Sequence, residues 1–131
     1  MNPINIQILT AQGLETAIIE CDRKNKALAF TRKNGLTRRY TSYDLYGCFG
    51  ALRAEFPEIQ FLCKGSKLNV HPSSMSSQMS CGLVAYEMQQ GKPAEDEDIV
   101  RIFDYEDRDL TNDIEEQKDF YRSWLASLAS S

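Results

Sequence analysis

The sequence predicts an α+β fold: an antiparallel β-meander of about four to five strands packed with three to four helices, in a single domain spanning residues 1–131. Two observations carry this prediction. Apolar residues alternate with period two from the start of the chain, with short polar turns between the runs, and the period then changes to that of a helix at Thr41 and again near the end. A chain of 131 residues suits one core, and 42% hydrophobic with 26% charged residues excludes a disordered, collagen-like or coiled-coil chain.

Ile4, Ile6 and Ile8 bury one face of a strand over residues 3–9. Gln12-Gly13 supplies a turn, and the β-branched stretch Thr16 to Cys21 reads as its partner strand. Asp22 to Asn25 form a polar turn into a third strand, Lys26 to Arg32, which Asn34-Gly35 ends. Thr41 or Ser42 then caps a helix over 42–55. Leu45, Cys48 with Phe49, Leu52 and Phe56 recur at helical spacing until Pro57 stops it. Ile59 to Cys63 returns to period two, and Leu68-Asn69-Val70 completes a hairpin or a bulged strand. After the serine-rich loop from His71 to Ser77, Met79, Leu83 and Tyr86 predict a helix over about 77–90, ended by Gly91 and Pro93. Residues 93–103 suit either a short helix or a strand, and the helix is the reading taken. Thr111 or Asn112 caps a last helix whose apolar stripe includes Ile114, Trp124, Leu125 and Leu128.

The chemistry-bearing motifs are weak. His71 is the only imidazole, so a two-histidine acid/base pair is unavailable, and neither Cys63 nor the Ser73–Ser77 run has a nucleophile signature around it. Cys63-Lys64-Gly65-Ser66-Lys67 lacks the earlier glycine of a phosphate loop, and the acids from Asp96 onward lack the glycine and glutamate of a calcium loop. Cys21, Cys48, Cys63 and Cys81 match no zinc or redox spacing and read as buried free thiols of a reducing compartment. We therefore expect no catalytic residues, no metal site, no cofactor and no enzymatic activity. No secretory signal or membrane-spanning stretch is expected either, which places the protein in the cytoplasm.

Charge is the uneven property. Residues 1–64 carry net +3 and residues 65–131 net −7, giving −4 overall. The basic run Arg23, Lys24, Lys26, Arg32, Lys33, Arg38 and Arg39, with Tyr40 and Tyr43 nearby, could follow a nucleic-acid backbone, or could simply solvate strand edges. The acids Glu95, Asp96, Glu97, Asp98, Asp104, Glu106, Asp107 and Asp109 either cap helices and solvate loops or form a negative patch. In the second reading Phe103 or Tyr105 is an aromatic anchor, and the patch fits a basic protein partner.

The stretches Phe61-Leu62-Cys63-Lys64-Gly65, Asn69-Val70, Pro72-Ser73-Ser74-Met75, Gln78-Met79, Gly82-Leu83, Ala85-Tyr86-Glu87, Gly91-Lys92-Pro93 and Ile102-Phe103-Asp104 resemble the immunity proteins of bacterial contact-dependent growth inhibition, encoded beside polymorphic toxins. The matching region, roughly residues 60–105, covers under half the chain. The resemblance implies a non-enzymatic cytoplasmic inhibitor, monomeric or a small homo-oligomer, whose partner is the C-terminal domain of a cognate toxin, with no role for membrane or nucleic acid. Many such toxins are nucleases with basic substrate faces, which an acidic inhibitor would occupy as a phosphate backbone does. The alternative is a small nucleic-acid-binding or adaptor regulator using the basic segment 23–39.

Overall fold

A computed structural model of the protein describes residues 3–129. The order is β1 (Ile4–Thr10), β2 (Gly13–Asp22), β3 (Ala27–Thr31), β4 (Thr37–Thr41), α1 (Leu45–Glu55), β5 (Gln60–Phe61), β6 (Val70–His71), α2 (Ser74–Ser80), β7 (Val84–Glu87), β8 (Ile99–Arg101) and α3 (Ile114–Ala129). The strands form two antiparallel sheets, a curled one of five in the order β4-β3-β2-β1-β5 and one of three in the order β6-β7-β8. The fold is α+β, as the sequence predicts.

The alternation in β1 does what its period requires. Ile6 and Ile8 are buried while Asn5 and Leu9 face out, and in the paired strand Ala17 and Ile19 are buried against exposed Ile18 and Glu20. The register Ile4↔Ile19 and Ile19↔Phe30 continues the same face across β3. α1 lies on that face. Leu45, Cys48, Phe49 and Leu52 close the core over Ile8, Ile19, Leu28, Phe30 and Phe61, each such apolar side chain contributing about 1.5–3 kcal/mol when fully buried. Tyr46, on the other flank of α1, joins Val70, Ala85 and Ile102 beneath the three-stranded sheet. α1 is thus the element both sheets share.

The cap of α1 is Asp44, not Thr41 or Ser42. Its carboxylate accepts from the Gly47 N–H at 2.7 Å, and the preceding residues pair with β3 as the end of a fourth strand. The helix expected over 77–90 is the larger correction. α2 covers only Ser74–Ser80, because Cys81 adopts a left-handed conformation and Gly82 follows at φ +78°, where a Cβ would lie 2.9 Å from the Asp44 carboxylate. The chain then extends as β7, so Leu83 and Tyr86 do not share a helix face with Met79, which is 74% exposed. Residues 96–98 form one 3-10 turn and 99–101 a strand, so the helix reading of 93–103 also fails beyond that turn.

α3 is fixed by polar contacts as well as its apolar face. Gln117 is buried and donates to the carbonyls of Gly65 and Lys67, and Trp124 Nε1 donates to Lys92 O at 2.8 Å. Arg53, in the last turn of α1, is fully buried. Its guanidinium donates to Thr111 O at 2.5 Å and Gln117 Oε1 at 2.8 Å, and lies 4.9 Å from the centre of the Phe49 ring. Burial draws its pKa down to about 10.

Candidate functional site

The structure sorts the acidic stretch into three settings. Asp96–Asp98 make the 3-10 turn before β8, and Asp98 Oδ2 accepts the Glu95 N–H at 2.9 Å, closing the turn's start. This turn shares a cleft of about 490 Å³ with the end of β7 and the segment before β6, its walls including Glu87, Glu97, Asp98, Asp109, Lys67 and Asn69. Glu97, Asp98 and Asp109 are therefore brought together. Glu87, which is not among the acids the sequence assigns to the patch, joins them because β7 follows directly on the short α2. Asn69 donates to Met88 O at 2.9 Å, while its buried Oδ1 has no hydrogen bond among the described residues.

Glu95, Asp96, Asp104 and Asp107 are exposed outside that cleft, Asp107 beside Tyr105. Glu106 is turned inward. It accepts from Lys64 Nζ at 2.9 Å and Lys67 Nζ at 3.0 Å, and both lysines also reach Glu87, so four charges up to 42 positions apart in sequence form one cluster. Burial alone would raise the Glu106 pKa, but the two ammonium groups and the backbone N–H groups of Arg108 and Asp107 hold it down at about 2. Its carboxylate is thus committed within the fold, a departure from the expectation that it belongs to a free patch. Phe103 departs in the same way. Its ring is partly buried and packs at 5.2 Å on Phe49 at the join of the two cores, which commits it in part to the fold, whereas Tyr105 is 59% exposed.

The basic run does not form one track. Arg23 to Lys26 occupy the β2–β3 turn and Arg32 and Lys33 begin the β3–β4 turn, at opposite ends of the sheet. Arg32 pairs with Glu15 at 2.8 Å and Arg38 with Glu55 at 3.2 Å. Arg23 donates to Met79 O at 3.0 Å.

His71 sits in β6, with its ring stacked 4.2 Å from Tyr121 and its Nδ1 2.7 Å from Pro72 O. Burial lowers its pKa. Ser73 caps α2 by accepting from Ser76 N, and Ser77 donates to Asp44 at 2.5 Å, so the serine run serves helix ends. Cys63 is fully buried and burial pushes its thiol up to about 12; Cys21 and Cys48 rise to about 11 for the same reason. Among the described residues no three His, Cys, Asp or Glu side chains are grouped to hold a metal ion. No helix of the described residues is long and apolar enough to cross a membrane.

Compared with known proteins, the chain matches no family model and no curated sequence.

Proposed function

We propose that this protein is an immunity protein that binds a toxin domain in the cytoplasm and neutralises it by occupying a basic surface. The observation that carries the reading is the acidic cleft beside β6, β7 and β8. Four carboxylates line it, and only Glu87 among them is paired with a lysine among the described residues. Segment 60–105, which bears the resemblance to immunity proteins, supplies Lys67, Asn69, Glu87, Glu97 and Asp98 of its walls. The exposed Glu95, Asp96, Asp104 and Asp107 add to the negative field, and exposed Tyr105 is the aromatic anchor. Such a field raises the association rate for a cationic partner, while a desolvated aromatic ring supplies affinity.

The experiment is a pull-down of tagged protein from lysate of its source strain, with mass spectrometry of the eluate and a salt wash series. A single stoichiometric basic toxin fragment released at high salt supports the reading. The double variant Glu97→Lys/Asp98→Lys should then slow association by about tenfold at low salt and flatten its salt dependence. Recovery of nucleic acid without a protein partner, of no specific partner, or an unchanged association rate overturns it.

A further inference from the structure

A second groove lies beside Tyr43 and carries the opposite charge. The Asp22 carboxylate accepts both the Asn25 N–H at 3.1 Å and Asn25 Nδ2 at 2.7 Å, which folds the β2–β3 turn back and commits that acid. Lys26 follows in a left-handed conformation at φ 51°. Arg23 and Lys26 then line a depression of about 400 Å³ with Tyr43, Ser77, Gln78 and Cys81, and no carboxylate is among these lining residues. Arg23 spends one donor on Met79 O, leaving the rest of its fork for a ligand, and Lys26 Nζ has no acidic partner among the described residues.

An adjoining depression of about 300 Å³ shares Tyr43, Ser77 and Gln78 as its wall and continues to His71, Ser73 and Ser74. Tyr121 at its back already stacks on His71 and Trp124, so the ring free to receive another is Tyr43, which is 57% exposed. Asp44 faces this second depression; its carboxylate is committed to Gly47 N and Ser77 Oγ, but its charge still disfavours an anion there. The arrangement is polar in the ligand's sense. An anion belongs at the Arg23 and Lys26 end, and a planar ring on Tyr43 with its polar edge towards the His71 and Ser73 end, which leaves a neutral hydroxylated link between the two beside Ser77 and Gln78.

We propose that this groove binds a nucleoside monophosphate unit, its phosphate between Arg23 and Lys26 and its base on Tyr43, supplied either as a free nucleotide or as the 5′-phosphorylated end of a single strand. Two cations match a phosphate dianion, the combined space lies within the range of small-molecule sites, and aromatic stacking accepts any base. This site does not depend on the acidic cleft.

The test is a titration of isotopically labelled full-length protein, followed by amide shifts, with AMP, adenosine, inorganic phosphate, a 5′-phosphorylated hexanucleotide and hexaglutamate. AMP should saturate with Kd on the order of 0.1–1 mM and shift residues 23–26, 43–44 and 77–81, with adenosine and phosphate each at least about tenfold weaker. Arg23→Ala and Lys26→Ala should weaken AMP without affecting adenosine. Tyr43→Ala should weaken AMP and adenosine by roughly fivefold to a hundredfold and leave phosphate unchanged. The hexanucleotide binding about tenfold tighter than AMP through the same residues assigns the source to a strand end, and equal binding assigns it to free nucleotide. Absence of saturation, shifts elsewhere, phosphate binding as tightly as AMP, or hexaglutamate displacing AMP at equal concentration overturns the assignment, the last in favour of an acidic protein surface.

Discussion

Replacing Glu106 by glutamine removes one charge from the Lys64, Lys67, Glu87 and Glu106 cluster while keeping the size of the side chain. The Glu106 side chain is 11% exposed and its pKa falls from 4.5 to about 2 in the fold. A depression of that size corresponds to about 3 kcal/mol of folding free energy, which screening by the solvent that still reaches the 26% exposed Lys64 brings to about 1.5–2 kcal/mol. The folded-state value lies below the unfolded one, so this stabilisation is fully present above pH 4.5 and is lost as pH falls from 4.5 through about 2. Urea unfolding monitored by Trp124 fluorescence should place the Glu106→Gln midpoint lower at pH 7 by roughly 1 M, given ordinary slopes of about 1–3 kcal/mol/M. The two curves should converge as pH approaches 2. Equal midpoints at pH 7, or a gap that persists undiminished at pH 2, would refute the reasoning.

Arg53→Met keeps the buried stem but leaves Thr111 O and Gln117 Oε1 without their donor, and should cost about 1–3 kcal/mol; calorimetric unfolding indistinguishable from the parent would contradict that. Phe103→Ala should destabilise by about 2–4 kcal/mol, whereas Tyr105→Ala stays within about 0.5 kcal/mol, and denaturant melts that show the reverse order would place the wrong ring in the core. Thiol labelling with an aromatic disulfide reagent at pH 8 should be about a hundredfold slower at Cys21, Cys48 and Cys63 in the native protein than in urea, because burial lifts their pKa by two units or more. Rapid native labelling of Cys63 would show that its site is open to solvent.

The parts of the fold legible in the sequence are those decided locally. The Ile4, Ile6, Ile8 alternation and the Pro57 stop specify β1 and the end of α1 from neighbours alone. The boundary at Cys81-Gly82 was also written there, since a glycine after a short serine-rich helix marks a left-handed C-terminus, but the helical spacing of Met79, Leu83 and Tyr86 competed with it and falls together only by coincidence. The strand 37–41 is hidden because its side chains are mostly exposed and carry Arg38 and Arg39, so no apolar period marks it. The acidic segment was legible as composition, yet its division was not. Whether Glu106 meets solvent or Lys64 depends on a β-bridge between Cys63 and Tyr105, and the place of Glu87 depends on where α2 stops. Contacts between residues this far apart in sequence leave no local pattern.

The buried guanidinium of Arg53 bears on how the chain can be made. α1 belongs to the first half of the sequence, while the groups that receive its charge, Thr111 O and Gln117 Oε1, arrive about sixty residues later. During synthesis the five-stranded sheet could dock on α1 as soon as β5 emerges, but the guanidinium would then have neither of these acceptors. The polar contacts of this side chain are complete only once residue 117 has joined the fold. A fragment ending before β6 should be a poor folding unit, and a permuted chain that begins between α2 and β7 should tolerate the cut only if it delivers both ends of this contact together.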